Sequence, residues 1–450
     1  MRRQHPAGPG PRSRSLARRL RTVECPEVTY LAKDFPIFWS RARGCRVWDA
    51  DGRPYTDMTA AFAVANPGHN HPAISRSVVR QARSLLHGMG DVHPPTVKPL
   101  FLESLARILP GRPRQIILSQ NGSDAVESAL KTALIARPAR PGIAAFTGSY
   151  HGLSFGALSV TWRKDFRAPF AARLARQTLF IDYPYCYRCP LGKQYPSCGI
   201  ACLDSAVRRI RQAGGNNRFA AVIVEPVQGR GGEIVPPHGW LKRLAEFCRR
   251  ERLLLIADEI YTGFGRTGRM FACEHENVDP DILCLGKGMT GGFPMSACAG
   301  STRLMRRWGV STGEAIHTST FLGNPLGCAA GLAALSIYNR SHLARRSAVM
   351  GRYFLNRLRM ALDPLPVVGD IRGLGLMIGV ELVTSRARKT PAPDLCGRTI
   401  REALRRGLIV LGGGIHQNVI SLSPPLVVSR REIDFCVDVL QDVLTSIIRR

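Results

Sequence analysis

The chain has 450 residues, of which 45% are apolar and 21% charged, the balance of a soluble globular protein long enough for a large domain and a smaller one. No apolar run approaches the roughly 18 residues that a membrane-spanning helix needs. The formal charge of +30 comes from 63 basic residues, only eight of them Lys, scattered along the whole chain with no nucleic-acid-binding motif beside them; it reads as compositional bias and excludes neither enzyme nor binding protein.

In chain order, the first 21 residues, MRRQHPAGPGPRSRSLARRLR, carry no acid and many Arg. A transit-type segment is one reading; residues 1–27 are expected to be a basic, disordered arm outside the fold. Thirteen cysteines, an odd count, without an apolar secretory segment, fit reduced thiols in a cytoplasmic enzyme. Residues 28–75 are expected to join a smaller domain. Within them His69 and His71, in PGHNHP, sit among Gly and Pro and read as a turn rather than as a ligand pair.

Residues 76–335 alternate helix-like and strand-like segments, the rhythm of a mostly parallel sheet with helices on both faces. The residues that end each short apolar run are informative. QIIL runs into SQNGSD, IAAF into TGSYHG, AAVIV into Glu225-Pro226, LLLIA into Asp258-Glu259, and DILCL into Gly286-Lys287. In open α/β sheets ligands bind in the crevice at the carboxyl ends of the strands. From about Ser336 a long amphipathic helical stretch begins, then short strands around GLMIGVEL and VISLSPPL, then a helix near Glu432 to Ile448. Residues 336–450 are therefore expected to form a smaller α+β domain, with no repeat or low-complexity linker after about Val28.

Gly122 and Ser123 open an apparent helix, AVESALKTALIA. Backbone N–H groups, a hydroxyl and the positive end of the helix dipole make a phosphate seat, although Asn121 or Ser123 acting as a simple cap explains the same residues. Asp258 and Lys287 both stand at strand ends beside Gly-rich turns. A pyridine cofactor needs a carboxylate to keep its ring nitrogen protonated and an amine of lowered pKa to form a Schiff base. A structural ion pair is the plainer alternative, but a Lys in LGKGMTGG, in a chain with eight, is informative.

IADEIYTGFGRTG, with LGKGMTGGFPMSA after it, resembles the cofactor signature of the class III aminotransferases, which have the type I fold of pyridoxal phosphate enzymes. NGSDAVESALK, GSYHG, VEPVQG, HTSTFLGNPLGCAA and RGLGLMIGVEL match in the same order, from about residue 30 to the C-terminus. The resemblance implies that Lys287 is the Schiff-base lysine and Asp258 the partner of the pyridine nitrogen. It also implies that Ile260 and Tyr150 flank the ring, that Gly122 and Ser123 hold the phosphate, and that Glu225 supports the network beneath. Thr320 would reach the phosphate of a neighbouring subunit, so a homodimer is expected. Phe62 would line the substrate pocket, and His151 would brace the loop carrying Tyr150. Departures fall on the substrate side: Tyr261 stands where Gln is usual beside the phenolic oxygen, Arg230 where many members have Glu, and Ser421 where many have Arg.

Cys186, Cys189, Cys198 and Cys202 form C-x2-C-x8-C-x3-C. Their number suits zinc, but the middle spacing is short and no metal is expected. The resemblance implies an aminotransferase taking an amino donor and a 2-oxo acid, with a racemase or epimerase on the same scaffold as the alternative. A non-enzymatic basic protein is disfavoured by the Asp258 and Lys287 constellation, and neither nucleic acid nor membrane is expected as partner.

Overall fold

Alternate residues of single strands pack into different hydrophobic clusters: Val222 and Val224 on one face, Ala221 and Ile223 on the other. A strand buried on both faces needs helices on both sides. The computed structural model, which describes residues 8–111 and 114–449, supplies them. Its main sheet has seven strands in the order Arg114–Ser119, Ser296–Ser301, Ile282–Leu285, Leu254–Asp258, Phe219–Val224, Gly142–Phe146 and Thr178–Ile181. All run parallel except Ser296–Ser301, which is antiparallel to both neighbours.

Helix Gly122–Ala136 lays Ala125, Val126, Ala129 and Ala133 on one face of this sheet. Its small side chains let the helix lie close to the strands. Helix Trp240–Arg250 covers the other face with Trp240, Leu244 and Phe247, each contributing about 1.5–3 kcal/mol by leaving water. Trp240 meets Phe146 edge-on, with ring centroids 5.3 Å apart.

The C-terminal part is antiparallel. Met377–Ser385 lies between Val368–Leu374 and Val419–Leu422, and the latter pairs with Leu411–Gly413. Helices Leu343–Leu362, Pro393–Arg405 and Arg430–Ile448 accompany these strands. A further sheet joins the two ends of the chain: Pro54–Asp57 pairs with Arg46–Asp49 and, in parallel, with Leu408–Ile409. Arg266, wholly buried, ties three segments together. It donates to the carbonyls of Leu376 (2.9 Å) and Pro424 (2.7 Å) and to Asn66 Oδ1.

The expected disordered arm is instead ordered over much of its length. Pro11–Val23 is a helix with Ser13 and Ala17 buried, while residues 1–7 lie outside the described residues. The sequence hides this because the first turn has no acid of its own. Asp51 supplies it from another segment, accepting from the N–H groups of Arg12 (2.8 Å) and Ser13 (2.9 Å) and from the Ser13 hydroxyl (2.6 Å). Gly10 is required there, since a Cβ would fall 2.0 Å from Asp51 Cγ. Replacing Asp51 by Ala should remove about 1–2 kcal/mol of capping and dipole stabilisation. The expected result is faster tryptic cleavage at Arg14, Arg18 and Arg19 with an unchanged melting transition for the rest; an unchanged cleavage rate would show that the helix is held by other contacts.

Candidate active site

The strand ends converge on a cavity of about 630 Å³ at the carboxyl edge of the main sheet. Every residue expected there from the sequence lines it; Thr320, expected to serve a neighbouring subunit, is exposed in the segment before helix Pro325–Arg340.

Asp258 ends its strand and is 4% exposed. Its Oδ2 lies 2.7 Å from His151 Nδ1, and Oδ1 accepts from the N–H of Ile260 at 3.1 Å. A carboxylate accepts, so it fixes the imidazole proton on Nδ1. The His151 backbone N–H is held by Thr161 Oγ1 at 2.8 Å. Asp258 engages the Nδ1 side of the His151 ring. His151 Nε2 is buried without a partner among the described residues. An orphan of that kind costs about 1–3 kcal/mol, which marks the spot as one awaiting a group.

Lys287 comes just after the strand Ile282–Leu285 and has φ +44, a left-handed conformation uncommon outside glycine. Its Nζ lies 4.6 Å from the centroid of the Tyr261 ring. Burial pushes its amine below the ordinary lysine value; Asp258 and Glu225 oppose that shift and Arg230 adds to it. An amine that gives up its proton more readily is a better nucleophile and base.

At the start of helix Gly122–Ala136, the Asn121 side chain accepts from Asp124 N–H at 3.1 Å. Ser123 Oγ accepts from Leu153 N–H at 3.0 Å, which leaves its own proton to donate. A Cβ at Gly122 would come within 3.1 Å of Ile260 Cδ1. At Gly152, φ +117, one would sit 2.1 Å from Ser123 Oγ. Gly152 therefore has to be glycine, and a side chain at Gly122 would push on Ile260, for the cradle to stay open beside the dipole's positive end.

Glu225 is buried. Its Oε1 accepts from Tyr150 N–H and its Oε2 from Gly229 N–H, both at 3.0 Å. Burial pushes its carboxyl up to about 7, with His151 opposing and Asp258 reinforcing the rise. Tyr150 packs edge-on against Phe166, centroids 5.9 Å apart, and the exposed Arg230 guanidinium lies 5.4 Å from the Tyr150 ring. Arg230 thus borders the cavity from its mouth. Phe62, 54% exposed, stands in a run of four left-handed residues, Ala60 to Ala63.

Tyr261 lines the cavity. Its hydroxyl is turned towards Ser423 Oγ (3.0 Å) and Glu233 Oε1 (3.2 Å), so its ring face, rather than its hydroxyl, is presented to Lys287. Glu233 also lines the cavity, and the sequence gives no sign of it. A lone Glu after two glycines carries no periodic signal, and its partners Tyr261 and Ser421 come from other segments. Cys186, Cys189, Cys198 and Cys202 gather at a separate small pocket. Among the described residues no group of three or more potential ligands is placed to hold a metal ion.

A buried carboxylate, an amine of lowered pKa and a phosphate cradle in one cavity are what the ring nitrogen, the aldehyde and the phosphate of pyridoxal phosphate require. The orphaned His151 nitrogen and the glycines that a Cβ would fill show that the residues present fit that group.

Residues 29–444 match the family described as aminotransferase class-III. The chain is 34% identical over 421 residues to a leucine/methionine racemase of Thermococcus litoralis, covering 93% of this chain and 92% of that protein. It is 37% identical over 407 residues to an acetylornithine aminotransferase of Methanosarcina acetivorans, with 90% and 91% covered. Among solved structures, an amine transaminase from an uncultivated Pseudomonas species in a PLP-bound form superposes with a TM-score of 0.87 at 32% identity, over 94% of this chain and 98% of that one.

Proposed function

The chain belongs to the class-III aminotransferase family, and from that premise we propose which of its residues do the work. It is a pyridoxal-phosphate-dependent enzyme that moves an amino group from an amino donor to a 2-oxo acid in two half-reactions. The observation that carries the assignment is the shared cavity of Lys287, whose amine is depressed by burial, and the buried Asp258.

Pyridoxal phosphate, when bound, supplies an aldehyde that takes up amine nitrogen and a ring that draws electrons from the carbon bearing it. Lys287 holds the cofactor and moves the proton to and from that carbon, the task its lowered pKa suits. Asp258 keeps the pyridine nitrogen protonated, and His151 holds Asp258 in place. Ser123 and the first-turn N–H groups of helix Gly122–Ala136 take the phosphate. Tyr150 and Ile260 flank the ring, and Glu225 fixes the Tyr150 backbone. Tyr261 offers its face and Phe62 closes the substrate side.

Borohydride reduction of the holoenzyme should fix the cofactor on Lys287, found by peptide mass spectrometry, and Lys287→Ala should abolish turnover; attachment to another lysine sinks the assignment. The racemase relative motivates one comparison. Donor consumption should require a 2-oxo acid, whereas inversion of an amino acid without any acceptor would identify a racemase.

Thr320, exposed and outside its own chain's cavity, is proposed to complete the phosphate site of a twofold-related partner. Light scattering at assay concentration should report a dimer; active monomer contradicts this.

Arg230 is proposed to bind the substrate's carboxylate. It stands at the mouth over Tyr150, and its planar fork suits a carboxylate bidentately. Arg230→Ala should lower kcat/KM for anionic acceptors roughly ten- to a hundredfold, the loss of one charge-assisted contact. Neutral substrates should change little; equal losses on all acceptors, or none, would remove Arg230 from this role.

A further inference from the structure

Glu233 has no part in holding the cofactor, yet the backbone is contorted to bring it in. Gly232 has φ +122 and Glu233 φ +53, a left-handed conformation that costs a non-glycine residue roughly 1–2 kcal/mol. The neighbouring strand comes so close that a Cβ on Gly379 would lie 3.0 Å from Glu233 Cβ. The result is a carboxyl 1% exposed in the wall of the cavity. Its Oε1 accepts from Ser421 Oγ and lies 3.2 Å from the Tyr261 hydroxyl, while Oε2 has no partner among the described residues.

The nearby cations are engaged elsewhere. Arg372 donates to Gly232 O (3.0 Å) and pairs with Asp370 and Glu381 (both 2.8 Å); Arg266 donates to two carbonyls and Asn66. Among the described residues, Glu233 is thus a buried acid whose hydrogen bonds come from hydroxyls. Arg266 and Arg372 act on it only through space, and burying a carboxylate without a directly paired cation is costly, so a partner that arrives with the substrate is the natural complement.

We propose that Glu233 is a specificity-determining residue that pairs with a second cationic group on the amino donor, an ammonium or guanidinium remote from the amine that reacts at Lys287. This rests on the aminotransferase reading above. Tyr261 sets the spacing: its hydroxyl reaches Glu233 and its ring carries the Lys287 amine 4.6 Å from its centroid. The donor's two nitrogens therefore bind at the ring face and beside the hydroxyl of one tyrosine.

A pH signature accompanies the charge preference. Burial pushes the Glu233 carboxyl up to about 8, while Ser421, Tyr261, Arg266 and Arg372 pull it down; Lys287 faces it across the cavity. Below that value the carboxyl is protonated, and it must lose its proton when the donor's cation arrives. Affinity for a donor with a remote cation therefore rises with pH up to about 8, and binding below that pH releases a proton.

The test compares L-lysine with L-norleucine, the same chain without the terminal ammonium, as donors to 2-oxoglutarate on the holoenzyme. Lysine should be preferred by roughly ten- to a hundredfold in kcat/KM, expressed in KM. Glu233→Gln, which keeps an acceptor for Tyr261 and Ser421, should erase that preference and its pH dependence while leaving norleucine within about twofold, as expected when one charge-assisted contact alone is lost. Calorimetric titration with lysine near pH 7, in two buffers of different ionisation enthalpy, should show more proton release by the parent than by the variant, the excess being the Glu233 proton. Equal losses on both donors would reduce Glu233 to structural support; no lysine preference, or no excess proton release, overturns the proposal. If neither donor passes its nitrogen to the acceptor, the aminotransferase reading is at fault, and the titration still decides the role of Glu233.

Discussion

A carboxylate removed from water has to be met by charge or by hydrogen bonds, and among the described residues Asp258 is met by two groups, the His151 ring and the Ile260 N–H. Glu225 and Lys287 respond to it. It reinforces the burial that lifts Glu225 to about 7, and it resists the burial that depresses Lys287. The central strands are apolar on both faces, so the carboxyl edge is where such groups can gather without disrupting the packed layers.

The cavity belongs to both parts of the chain, and the joints between them are polar. Arg266 reaches Asn66, Leu376 and Pro424, while Tyr261 and Ser423 connect the strand-end loop to the Thr59 carbonyl, 3.2 Å from Ser423 Oγ. Next to that joint the backbone from Ala60 to Ala63 is left-handed at four successive residues, each of which costs roughly 1–2 kcal/mol. Local bonds hold it: Thr59 Oγ1 accepts from Ala61 N–H at 3.2 Å, and Asp57 Oδ1 accepts from Thr59 N–H at 2.8 Å. Strain of this kind concentrates where a site needs a side chain placed against backbone preference, and here the side chain is Phe62.

The strands that lead to Glu225, Asp258 and Lys287 are legible because each is a short apolar run stopped by a polar residue or glycine. Strand Ser296–Ser301 is not, since SACAGS is built of small residues with no alternation and runs against its neighbours. Helix Pro11–Val23 escapes notice because its cap comes from Asp51, in another segment. The bonding of the Tyr261 hydroxyl is hidden for a similar reason: its partners, Glu233 and Ser423, lie 28 and 162 positions away. Local pattern reveals what a segment does alone, and these features exist only between segments.

That distinction also governs charge. A chain with a formal charge of +30 attracts anions over its whole surface, but beyond a Debye length of about 8 Å at physiological ionic strength such attraction is screened. The summed charge therefore sets the rate at which anionic substrates arrive and says little about which end of a molecule is held inside. Within the cavity the order reverses: the acids Asp258, Glu225 and Glu233 are buried in its wall, and the arginine that borders it, Arg230, is exposed at the mouth. An acid lying deeper than a cation, in a protein otherwise rich in arginine, is a local arrangement that composition opposes and only tertiary structure maintains. Selection between donors of different charge must then come from those few buried contacts.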